Sequence, residues 1–128
     1  VKYLVNQNID VNVLGFINNT KKDNIHIATI HVNYFNLNDV SILGIPNSKK
    51  TNSFLEKKYD MLINLSLINS FQTKYLALLS VAQYKVGVYD SSALFSYDLM
   101  FRLKIKSLNY FRQHVIHYLE LINNNNEK

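Results

Sequence analysis

The chain has 128 residues, 48% of them apolar and 18% charged, which suits one globular domain with a real core and is too short for two full-sized ones. It contains no cysteine, which excludes a disulfide framework, a thiolate nucleophile and a Cys-based zinc site. Fourteen Lys and Arg against nine Asp and Glu leave a net charge of +5, but the positive residues are dispersed and only two are Arg, the side chain best shaped for bidentate phosphate contacts; nucleic acid is therefore disfavoured as a partner.

The longest apolar run, 61–68, is interrupted by Asn64 and Ser66 and falls far short of the roughly 20 residues of a membrane span. The opening Val-Lys-Tyr-Leu-Val-Asn lacks the order of a signal peptide. A soluble cytoplasmic protein with no membrane partner is expected. Eighteen Asn, beside many Lys, Ile and Tyr, match AT-rich coding, so Asn is given no functional weight.

In chain order, Val1, Leu4 and Val5 have the spacing of a helix face, and the chain reads as starting inside a helix whose preceding strand is missing. Val11 to Ile17 is β-branched and aromatic, as internal strands are. Residues 18–24 form a polar loop, a candidate functional loop because it follows a strand. Ile25 to Val32 alternates partly and is read as an edge strand or a short irregular segment. Phe35 to Val40 is expected to be a loop, and Ser41 to Ile45 a further short strand closed by Pro46. Thr51, Asn52 and Ser53 offer an N-cap for a short helix over 54–58.

The central strand is placed at Tyr59 to Ser66. Asn69 or Ser70 caps a helix reaching about Gln83, with Phe71, Tyr75, Leu78, Leu79 and Ala82 on its core face. Lys85 to Tyr89 is the next strand, followed by a turn at Asp90-Ser91-Ser92. Within Leu94 to Lys106 the alternation of Leu99, Phe101, Leu103 and Ile105 favours a strand with one wet face. Ser107 then caps a helix whose stripe is Leu108, Phe111, Val115, Leu119 and Ile122.

This order predicts the α/β class: a Rossmann-like three-layer domain with a mostly parallel sheet, lacking its N-terminal strand. Residues 1–122 are expected to form that single domain and 123–128 a disordered polar tail.

Ligands of open α/β sheets sit beyond the carboxyl ends of the strands, which singles out Ser66 and Ser70, with Lys85 and Asp90, as candidate ligand-binding residues. Their simpler role is capping and turning the chain. With Gly only at positions 15, 44 and 87, no glycine-rich phosphate loop can be built, and none of the common nucleotide or hydrolase motifs occurs. His114 and His117 are helix neighbours expected to be solvated away from the apolar stripe, and His26 and His31 lack any metal-ligand spacing. Asp60 sits at the amino end of its strand, the wrong end for chemistry. No catalytic residue, metal or cofactor is expected.

Val13-Leu14-Gly15-Phe16, Phe54-Leu55, Tyr59 to Asn64, Ala77 to Ala82, Tyr84 to Val88, Tyr97 to Met100 and the helix Leu108 to Leu119 together resemble an uncharacterised family of the Bacteroidetes lineage. That resemblance implies a small cytoplasmic α/β domain and carries no catalytic residues. The Tyr59 to Leu65 strand, the apolar helix and Lys85-Val86-Gly87 are also similar, more weakly, to the N-terminal half of heptosyltransferase-type glycosyltransferases. The expected function is thus a non-catalytic α/β domain acting through contacts with a protein partner, with a nucleotide- or sugar-phosphate-binding domain as the alternative.

Overall fold

The structure, a computed structural model, describes residues 1–21, 27–68, 70–93 and 96–126. They fall into two compact units, Val1–Lys57 and Lys58–Lys128. Helices and parallel strand pairs make the architecture α/β, as the element order predicts.

In the first unit a short helix, α1 (Lys2–Asn6), is capped by Gln7 and followed by Asn8 at a φ of 57°. Asparagine tolerates this left-handed conformation, and the following Ile9 N–H closes the helix end on the Leu4 carbonyl at 3.1 Å. Strand β1 (Val13–Ile17) pairs in parallel with β2 (Val32–Asn36), Gly15 lying opposite Tyr34 and Phe16 opposite Phe35. Phe35 is 1% exposed, its ring 4.9 Å from that of Phe16.

Of the two readings of 25–32, the described part, 27–31, matches the short irregular segment and not the edge strand. The expected loop at 35–40 is corrected, because β2 begins at Val32 and takes its first residues. Ile27 and Ile30 point into solvent, so their alternation was not a buried face. The buried pattern lies instead around Phe35, flanked by asparagines that disguise it. Residues 22–26, including His26, lie outside the described residues.

Beyond β2, a 3-10 turn at Leu37–Asp39 is held by Asn36, whose side chain accepts from the Asn38 N–H while its own N–H donates to the Asp39 carboxylate, both at 2.9 Å. The presumed strand at Ser41 to Ile45 is a tight turn. Gly44, at φ 77°, lets its N–H reach the Ser41 carbonyl while the Ser41 N–H reaches Ile45, both at 2.8 Å. The run folds back on itself, leaving a single antiparallel bridge from Val40 to Pro46.

Helix α2 (Lys49–Glu56) starts earlier than expected because Ser48 is its cap. The Thr51 hydroxyl accepts from the Ser48 N–H at 2.8 Å and the Ser48 hydroxyl accepts from the Thr51 N–H at 3.3 Å, a reciprocal capping arrangement. Thr51 is therefore a fully buried helix residue.

The second unit is a three-stranded parallel sheet in the order β3 (Met61–Ile63), β4 (Tyr84–Val88), β5 (Leu99–Phe101). Between β3 and β4 runs α3 (Phe71–Leu79), and after β5 comes α4 (Leu108–Asn126). The core consists of Leu62 and Val86 from the sheet, Leu76 and Ala77 from α3, and Phe111 and Val115 from α4. Phe101 on β5 meets Phe111 and Tyr118 of α4 at ring separations of 5.8 and 6.1 Å; of the expected α4 stripe Phe111 and Val115 are buried, whereas Leu108 at its start is exposed.

Helix α3 departs most from expectation. Much of its presumed core face is turned outward: Phe71, Leu78 and Leu79 are exposed and Tyr75 and Ala82 half-buried, while Leu76 and Ala77 are buried. It also stops at Leu79, where the buried Ser80 accepts from the Ala82 N–H through its hydroxyl at 3.2 Å. The strands are shorter than their apolar runs, and Ile105, assigned to the inner face of the last one, is exposed. Residues 94–95 of that presumed strand lie outside the described residues. At the carboxyl end, 123–126 continue α4 instead of forming a loose tail, and 127–128 lie outside the described residues.

Candidate functional site

The second unit carries a cleft of ≈ 360 Å³ where the chain leaves the carboxyl ends of β3 and β4. One wall begins at Asn64, whose N–H continues the ladder to the Val86 carbonyl at 2.8 Å. The chain then turns outward, and the Ser66 N–H donates to Asn64 Oδ1 at 3.0 Å, a local turn suited to asparagine. With that oxygen engaged, the amide nitrogen faces the other way and donates to the Tyr97 hydroxyl at 2.7 Å.

Tyr97 reaches this position because residue 87 is glycine. A Cβ there would sit 2.7 Å from the Tyr97 ring, so only the bare backbone of β4 admits it. Burial, with a smaller contribution from the Asp90 charge, pushes the Tyr97 hydroxyl above its usual range against the opposing effect of the Asn64 bond. The hydroxyl is therefore protonated at neutral pH.

Asp90 follows β4. It forms an ion pair with Lys74 of α3 and accepts from the Ser92 N–H at 2.9 Å and the Ser92 hydroxyl at 2.7 Å. Hydrogen bonding from Lys74, then from Ser92, lowers its carboxyl to about 2. Lys74 also donates to the Ser92 hydroxyl at 3.2 Å. Beside them Arg102 stacks over the Tyr89 ring at 4.2 Å, and Lys106 lines the cleft from the segment before α4.

Of the residues nominated from the sequence, Ser66 and Asp90 line this cleft together. Ser70 occupies the N-cap position of α3 without a side-chain capping bond, its hydroxyl donating to Gln72 Oε1 at 3.2 Å. Lys85 is directed to the Leu78 carbonyl at 2.8 Å, and its N–H donates to the Asp98 carboxylate at 2.7 Å. Neither belongs to the cleft lining.

Nothing in the sequence points to Lys74 or Lys106. Asn64 stands at the expected carboxyl end of the central strand, but the abundance of asparagine strips it of weight. Nothing local marks Tyr97, which depends on a glycine ten residues away. One of the two helix histidines needs correction: His114 is half-buried, its ring 4.4 Å from Tyr110 and 6.3 Å from Phe101, while His117 is exposed, as expected. Among the described residues, no three His, Asp or Glu side chains cluster as a metal site.

The first unit has a cleft of ≈ 350 Å³ with Lys49, Lys50 and Lys57 on its rim. Two of these cations are engaged: Lys50 donates to the Tyr34 carbonyl at 2.7 Å, and Lys57 pairs with Asp10 at 3.5 Å. The described end of the polar loop, at Thr20, accepts from the Asn38 side chain at 2.8 Å, so there it acts as a structural support.

Matching against protein families finds one of unknown function, DUF6913, whose model covers residues 1–122. The chain belongs to that family. Comparison with curated proteins finds no match, and comparison with solved structures finds none. The DUF6913 match extends across both compact units. No helix among the described residues of this DUF6913 chain is long and apolar enough to cross a membrane.

Proposed function

We propose that this DUF6913 chain is a non-catalytic domain that acts through contacts with a protein partner. The observation that carries this reading is the outer face of α3. Phe71, Leu78 and Leu79 are spaced as one helical stripe, yet they are 54%, 52% and 47% exposed. Val81 and Ile68, just beyond either end of the helix, are exposed as well. Exposed apolar residues scattered singly are ordinary, whereas a contiguous group is characteristic of an interaction surface.

The test compares wild-type protein with Phe71→Glu and Leu78→Glu as baits in extracts of the source cells, read by quantitative mass spectrometry. The reading expects a protein retained by the wild type and lost by both variants, with unchanged circular dichroism. An identical bound set for all three baits, or variants that unfold because the stripe is core, would overturn it.

A second reading is favoured by the cleft at the strand ends: a domain binding a nucleotide or sugar phosphate, related to half of a glycosyltransferase. Its position is the one open α/β sheets use for ligands, and its size lies within the range of small-molecule sites. A thermal-shift series with nucleotides and nucleotide sugars tests it. A ligand at 100 times its dissociation constant adds about 2.7 kcal/mol of stability, and no shift with any of them removes this reading.

A further inference from the structure

Resting on the second reading, the cleft can be taken further through the direction of its hydrogen bonds. The Ser66 N–H engages Asn64 Oδ1, so the Asn64 amide nitrogen must face Tyr97, and the Tyr97 oxygen accepts. Among the described residues no group accepts the proton of Tyr97 itself, and its side chain lines the cleft. A partly buried phenol ordinarily donates as well as accepts. The three groups thus form a directed chain that ends in a donor available to the cleft.

The charges of the lining complement this donor. Lys74 is neutralised by Asp90, whose oxygens are also engaged by Ser92. Lys106 has no acidic partner among the described residues, so the lining carries one surplus positive charge. Ser66 adds a hydroxyl on the same lining. These groups come from three separate segments: the turn after β3, the approach to β5 and the approach to α4. Donors carried by three separate segments suit a tetrahedral oxyanion, whose oxygens point in different directions, better than a planar carboxylate.

We propose that this cleft binds a phosphate group, with the Tyr97 hydroxyl and the Lys106 ammonium as its donors and Asn64 as the residue that positions Tyr97. Inorganic phosphate and the phosphate of a small monoester share this chemistry.

Isothermal titration with inorganic phosphate, ribose 5-phosphate and adenosine monophosphate tests it on wild type, Tyr97→Phe, Lys106→Met and the control Lys85→Met. Loss of a hydrogen bond to a charged group weakens binding by about tenfold or more, so Tyr97→Phe and Lys106→Met should each do so while Lys85→Met binds as wild type. Circular dichroism confirms that the variants are folded. Tighter binding of either ester than of inorganic phosphate identifies a phosphomonoester as the ligand, and equal binding identifies free phosphate. If wild type binds a probe and Tyr97→Phe and Lys106→Met bind it equally well, this assignment is overturned while the phosphate-binding reading stands. If wild type binds none of the probes, this assignment falls, and the second reading falls with it only when the nucleotide and nucleotide-sugar series also gives no thermal shift.

Discussion

Each compact unit contains a strand glycine covered by a tyrosine ring, and the two cases have different consequences. In the first unit Gly15 and Tyr34 are direct cross-strand partners, and a Cβ on Gly15 would lie 2.6 Å from the ring. The aromatic residue covers the glycine of its neighbouring strand, a known way to mend a weak point in a sheet. In the second unit the cross-strand partner of Gly87 is Met100, while the covering ring belongs to Tyr97, which precedes β5. That ring comes from outside the ladder, and its hydroxyl projects to Asn64 at the cleft. The same missing Cβ consolidates a strand pair in one unit and shapes a cavity wall in the other.

The largest test of this comparison concerns the most buried aromatic residue of each unit. Phe35 and Phe111 are 1% and 0% exposed, so Phe35→Ala and Phe111→Ala should each cost about 3–5 kcal/mol in urea denaturation. A loss well below that for only one of them would mean that its unit is the looser packed, and the parallel between the units would fail.

A smaller effect separates the two glycines directly. Gly15→Ala and Gly87→Ala both force a ring aside and should cost about 1–3 kcal/mol. In the backgrounds Tyr34→Ala and Tyr97→Ala, respectively, the cost should largely vanish, because the obstructing ring is gone. Undiminished costs in those backgrounds would show that something other than the tyrosine requires glycine. Only Gly87→Ala should also disturb the cleft.

The smallest effects are electrostatic and belong to opposite ends of the pH scale. Asp90 is lowered from 3.8 to about 2. Its contribution is fully present above the unfolded value and is lost as pH falls from about 4 through 2; Asp90→Asn should flatten thermal stability across that interval. Tyr84 behaves oppositely. Its hydroxyl lies 3.2 Å from that of Tyr118, and this hydrogen bond, with burial next, raises it from 10.0 to about 12. Its contribution is present below pH 10 and is lost as pH rises toward 12, a slope that Tyr84→Phe should remove. Because Asp90 is partly exposed, salt should weaken the acid effect.

The long α4 stripe was legible from residue spacing because Phe111 and Val115 repeat with the helical period and meet one partner surface. The strand β4 and the helix–strand order were legible for similar reasons, as was Ser70 at the start of α3. The faces of α3 were not. That helix is apolar on more than one side, so periodicity could not decide whether Phe71 and Leu78 or Leu76 and Ala77 would be buried. Strand β2 was hidden because its burial is concentrated at Phe35, between polar neighbours, while exposed isoleucines upstream carried the stronger alternation. The site was half legible: strand-end reasoning found Ser66 and Asp90 and reached the segment of Asn64, but Lys74 and Tyr97 needed three dimensions.

By itself the sequence determined the α/β class, the amphipathic α4 and the scarcity of glycine that excludes a glycine-rich phosphate loop. These follow from local propensity and from counting residues. Tertiary structure alone decided which face of α3 is buried, and it alone brought Tyr97 across Gly87 to the Asn64 amide. Both depend on register and on the space left by a missing Cβ, which arise only when segments distant along the chain are packed together.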